Sequence, residues 1–168
     1  CILCKQTPQN YTPAIIAELA KYGVRARIET EYQDLIKEPV IDMLIKFMVC
    51  TNNRKRPKEW SFVEETLAEL WRINGTQSYD AYDEMQRRLV ALANDIKQKI
   101  RQGFDEKEWH TIVKTMVEFC GVENIKAKFP GYKQGNYLGN LLNKFEGLFF
   151  SEYMETNSDW DLAIENFC

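Results

Sequence analysis

The sequence is poor in the groups on which much catalytic chemistry depends. It holds a single histidine, His110, in 168 residues. No closely spaced glycines precede a Lys–Ser or Lys–Thr pair, which excludes a phosphate-cradling nucleotide loop. No apolar run approaches the ~18 residues that a membrane span needs, so no membrane partner is expected. An excess of positive charge is missing too. With 22 Lys and Arg against 25 Asp and Glu, the net charge of −3 argues against a surface that binds nucleic acid over its whole extent. The five cysteines, Cys1, Cys4, Cys50, Cys120 and Cys168, are odd in number and scattered among apolar neighbours. That usage suits reduced thiols better than a disulfide framework, and a cytoplasmic setting is expected. An initiator methionine is also lacking, and we expect the chain to be a piece of a longer protein.

What is present suits one globular domain with a real core: 45% hydrophobic and 28% charged residues. Ile2 to Lys5 reads as the end of a strand. Thr12 and Pro13 start a helix whose stripe is Ile15, Ile16, Leu19 and Ala20, and Gly23 ends it. Val24, Ala26 and Ile28 alternate with Arg25, Arg27 and Glu29, the period of a half-buried strand. Two strands joined by such a helix would lie parallel. From Pro39 onward the pattern is helical. The first of these helices, with Val40, Ile41, Leu44, Ile45, Phe47, Met48 and Val49, is too apolar for a surface helix. After a loop over 51–58, a capping box of Ser61 and Glu64 opens the next helix. A long helix is expected from Tyr79 to Gln102. Another is capped by Asp105, and residues 122–136 read as loop or short turns. Two more helices follow, the last beginning at Ser158 or Asp159.

Few residues carry recognisable chemistry. Cys1 and Cys4 have metal-ligand spacing, but a zinc site needs two further ligands, and no second pair exists. His110 stands beside Trp109, with Cys120 later on the same helix. A Cys–His nucleophile would also need an orienting third group, so this spacing is read as chance. Two basic segments remain. Arg54, Lys55, Arg56 and Lys58 form the sharpest cluster. In the second, Lys126, Lys128 and Lys133 interleave with Phe129 and Tyr132, the mixture that contacts phosphates and stacks on bases. Solvated loop is the bland alternative for both.

The opening residues resemble UvrD/Rep-type superfamily 1 DNA helicases, at the point where the second motor domain gives way to its inserted helical subdomain. In that family a strand of the type V-L-x-R leads to a polar stretch and a helix ending in G-I. A second strand and an apolar helix of the sense E-I-K-D-x-L-x-Y-L follow. Ile2, Leu3 and Lys5 take the strand positions, Gln9 matches the glutamine of the polar stretch, and Leu19, Gly23 and Val24 match the helix end. Glu38, Pro39, Ile41, Asp42 and Leu44 resemble the start of the apolar helix. Lys5 stands where arginine is usual, Thr7 where asparagine is, and Glu29, Thr30 and Glu31 replace a glycine-rich turn.

The resemblance implies a mainly α fold with a small N-terminal βαβ remnant. Residues 1–38 would belong to a motor domain and 39–168 to the helical insertion. The parent would be an ATP-driven DNA helicase whose ATP and magnesium sites lie outside this segment, and no cofactor is expected here. DNA, as a single strand or a single/double-strand junction, would be its partner, with Lys5 a single-strand contact. Binding rather than catalysis is the expected role. A helical protein-interaction module of a defence or signalling protein is the first alternative, and an enzyme with a site near His110 or the acidic residues the second.

Overall fold

A computed structural model describes residues 11–24, 26, 29–51, 56–73 and 79–168. Its elements are α1 (Thr12–Lys21), α2 (Glu29–Ile36), α3 (Pro39–Cys50), α4 (Pro57–Leu70), α5 (Tyr79–Gln102), α6 (Glu106–Cys120), α7 (Val122–Lys128), a 3-10 helix (Pro130–Lys133), α8 (Tyr137–Glu155) and α9 (Trp160–Phe167). The protein is mainly helical. No strand occurs among the described residues. Val24 and Ala26, expected in a strand, have no regular structure, and Glu29 opens α2 rather than closing a strand. Ile2–Lys5, Arg25, Arg27 and Ile28 lie outside the described residues.

The chain divides into two compact units, residues 1–34 and 35–168. In the first, α1 begins at Thr12 with Tyr11 in the cap position. Thr12 is thus helical rather than the cap, and no side chain caps this helix. None of its residues is fully buried.

The second unit is organised around α3. Pro39 occupies the first turn, where a missing N–H costs nothing. Val40, Ile41, Met43, Leu44, Ile45, Phe47 and Met48 are all buried. A helix apolar on nearly every side must be surrounded, and α4, α6 and α9 pack against it. The α4 helix starts at Pro57, not at Ser61, so Ser61 is an exposed interior residue instead of a cap. Arg88 of α5 lies over the Trp71 ring, 4.8 Å from its centroid, and the Trp71 indole N–H donates to the Phe119 carbonyl at 3.2 Å. The ends of α4 and α6 are thereby joined. Asp105 caps α6 through a reciprocal box. Its carboxylate accepts from the Glu108 N–H at 2.8 Å, and the Glu108 side chain accepts from the Asp105 N–H at 3.0 Å.

A second layer of core lies between α6, α8 and α9. Trp109, Phe145, Phe149 and Phe167 are at most 1% exposed. Their rings meet at tilted or edge-on angles, with Trp109–Phe149 centroids 4.9 Å apart and Phe149–Phe167 5.5 Å apart. The Trp109 indole donates to the Glu146 carbonyl at 3.0 Å, so its polar edge is satisfied inside the core. Residues 122–136, read as loop or short turns, hold α7 and the short 3-10 helix.

Candidate functional site

The basic segments divide according to what surrounds each cation. Lys5, Arg54 and Lys55 lie outside the described residues. Arg56 and Lys58 are exposed at the start of α4, Arg56 as the N-cap residue and Lys58 in the first turn. A helix N-terminus carries a partial positive charge, so these two cations add to it, with Glu59 the one acidic residue in that turn. Two exposed cations and one carboxylate thus share this end of α4.

In the second segment, pairing removes part of the expected charge. Lys126 contacts Glu123 at 3.1 Å, and Lys128 pairs with Glu69 of α4. Lys128 also lies 5.6 Å from the Phe129 ring centroid. Lys133 is exposed and has no ion-pair partner among the described residues. Three lysines close in sequence thus reach different electrostatic states, because only some have a carboxylate within reach.

Tyr132 is not the exposed ring expected from the sequence. It is 4% exposed, and its hydroxyl donates to Glu38 at 2.9 Å while lying 3.5 Å from the Val40 N–H. Burial, with the bond to Glu38, pushes its phenol pKa upward. Its location follows from chain direction: Phe129 ends α7, Pro130 starts the 3-10 helix, and Tyr132 is carried inward against the head of α3.

Tyr137, which sequence reasoning did not single out, is the exposed member of the same group. Its hydroxyl donates to the other Glu38 oxygen at 2.6 Å, and 44% of the residue is in solvent. The bond to Glu38, then partial desolvation, raises its pKa. The Tyr132 and Tyr137 rings stack 5.9 Å apart at 17°, and Phe129 leans on Tyr132 at 5.6 Å. Gly135, at φ +53, makes the turn that sets α8 and Tyr137 at this angle. A clustering of aromatic residues at 129, 132 and 137 was the available signal, but Tyr137 reads from sequence as the start of a core helix.

The arrangement around His110 is different. Its Nδ1 lies 2.6 Å from Glu146 Oε2 across α6 and α8, beside an open groove of about 470 Å³ lined also by Lys107 and Asn143. Cys120 does not share this groove. Burial pushes its thiol up to about 12, and its Sγ faces Met43 Sδ at 4.0 Å. The two residues therefore do not form a nucleophile pair. Among the described residues no group of three or more His, Cys, Asp or Glu could hold a metal ion. No described helix is long and apolar enough to cross a membrane.

No protein-family model, curated protein or solved structure matches this chain.

Proposed function

We propose that this chain is the accessory helical subdomain of an ATP-dependent DNA helicase of UvrD/Rep type, contributing DNA contacts and control of unwinding. The observation that carries the reading is the pattern from Glu38 to Leu44, which resembles the family's entry into its inserted helical region. It coincides with the proline-led start of α3. Support also comes from the exposed cations Arg56, Lys58 and Lys133, whose charge suits phosphate. On this reading Arg54 and Lys55 extend the α4 contact, Lys126 and Lys128 release their carboxylates on binding, and Lys5 touches the single strand. ATP and magnesium act in the parent, in a cytoplasmic setting.

The test is DNA affinity across a salt series. Each single-strand phosphate contact adds ~0.7 to the slope of log affinity against log salt. The triple substitution Arg54→Ala, Lys55→Ala, Arg56→Ala is expected to reduce that slope by about 2. An unchanged slope removes the α4 contact. The purified chain is expected to hydrolyse no ATP, and intrinsic turnover would overturn the assignment. A second reading, a protein-interaction module, draws on Met154 and Leu162, which are 55% and 43% exposed on the packed pair α8 and α9. It predicts no salt-dependent DNA binding at all.

A further inference from the structure

The Phe129–Tyr132–Tyr137 group has the form of a stacking platform already built before any ligand arrives. We propose that Tyr137 is the contact for an unpaired nucleobase of single-stranded DNA, with Lys133 meeting the adjoining phosphate and Glu38 acting as the positioning residue. This rests on the DNA-contact reading above and assigns it a particular ring.

Three features carry the inference. First, Tyr137 is held at both ends: its ring lies on Tyr132 at 5.9 Å and 17°, and its hydroxyl is bound to Glu38 at 2.6 Å. An exposed tyrosine usually loses rotamer freedom when a ligand orders it, whereas this ring is ordered in advance. Second, the ring is not enclosed. At 44% exposure it offers apolar surface to solvent, while Tyr132 behind it is 4% exposed. A base stacking on Tyr137 would extend an existing aromatic stack, and stacking tolerates every base because each has a π-face. Third, the nearby charge suits the ligand. Lys133, on the 3-10 helix just before Tyr137, is exposed and unpaired among the described residues. The one anion in the group, Glu38, has each carboxylate oxygen engaged by a phenol donor, at 2.9 and 2.6 Å.

Glu38 does more than anchor a ring. It stands at the head of α3, and its two bonds span 94 and 99 positions of sequence to reach Tyr132 and Tyr137. Replacing it by glutamine keeps the size but substitutes a donor for one acceptor, so one phenol loses its partner.

The test compares two labelled oligonucleotides of equal length and charge, an oligothymidylate and its abasic counterpart, by fluorescence anisotropy with the whole chain. The wild type should prefer the oligothymidylate. Tyr137→Ala should weaken that binding about tenfold and bring the two affinities together, as expected for the loss of one stacked base. Tyr137→Phe should retain part of the preference, since the ring remains without its tether. Glu38→Gln should lower the preference for the oligothymidylate over the abasic strand, with an unchanged circular dichroism spectrum showing that the variant is folded. Lys133→Ala should weaken both ligands equally and lower the salt slope. Equal wild-type affinity for the two ligands, or a Tyr137→Ala variant that keeps the preference, overturns the stacking role and leaves DNA contact standing. Absence of binding to either ligand instead overturns the DNA reading itself and favours a protein partner.

Discussion

Two groups of aromatic side chains in this molecule are built from similar residues and end in different states. Around α6, α8 and α9, the rings of Trp109, Phe145, Phe149 and Phe167 are sealed from solvent. Near the head of α3, the Phe129–Tyr132–Tyr137 group begins buried at Tyr132 and ends in water at Tyr137. The first group sits on long helices whose apolar stripes face one another, so each ring gains neighbours on several sides. The second sits on a 3-10 turn and the first residue of α8, where one helix end meets another and the packing runs out. Hydroxyls matter only in the second group. A phenol entering a half-buried site must find an acceptor, and Glu38 supplies one to each tyrosine.

Truncation tests the contrast most severely. Phe149→Ala should cost ~3–5 kcal/mol in chemical denaturation, because it removes a ring whose neighbours cannot collapse to fill the gap. Tyr137→Ala should cost much less, about 1 kcal/mol or under, since much of its surface is already in solvent. Similar losses for the two variants would erase the distinction between core and platform.

The hydroxyls give the next largest effect. Tyr132→Phe removes the hydroxyl that donates to the Glu38 carboxylate and should destabilise by ~1–3 kcal/mol. It should also change the alkaline limb of the stability curve. Burial and Glu38 raise the folded pKa of Tyr132 above its ordinary 10.0. A raised pKa means the folded state holds the proton more tightly than the unfolded chain does. Its contribution is therefore complete below pH 10 and declines as pH climbs toward the raised value. Wild-type stability should fall above about pH 10 more steeply than that of Tyr132→Phe. Parallel curves would show that the phenol is not held as described.

Smaller effects calibrate the scale away from both groups. Asp105→Ala breaks the α6 capping box and should lower stability by ~1 kcal/mol, measured by the shift in denaturation midpoint. Lys128→Ala should change stability by ~0–1 kcal/mol, because Glu69 in that pair is 66% exposed and solvent screens the interaction. A larger loss there would mean that the α4–α7 contact depends on the ion pair rather than on apolar packing.

Much of the helical layout was legible because its signals are local. The stripe Tyr82, Met85, Leu89, Leu92, Ile96 and Ile100 marks α5, and Gly103, at φ +77, closes it. Pro39 and Asp105 announce their helices through proline geometry and a side-chain oxygen within reach of the third amide. Asp159 does the same for α9, accepting from the Leu162 N–H at 3.0 Å. Other signals had competitors. Ser61 and Glu64 fit a capping box, but Pro57 begins the helix earlier. Val24 and Ala26 alternate properly, yet no strand among the described residues includes them. Alternation alone does not supply the neighbouring strand whose hydrogen bonds define a sheet.

The sequence by itself determined that this protein is mainly helical and where several of its helices start and stop. Those choices depend on groups within about one turn of each other. Tertiary structure decided which aromatic ring meets solvent and which lysines keep an unopposed charge. Tyr132 and Tyr137 depend on Glu38 across more than half the chain, and Lys128 depends on Glu69 of another helix. Such partners become neighbours only when packed helices bring them together.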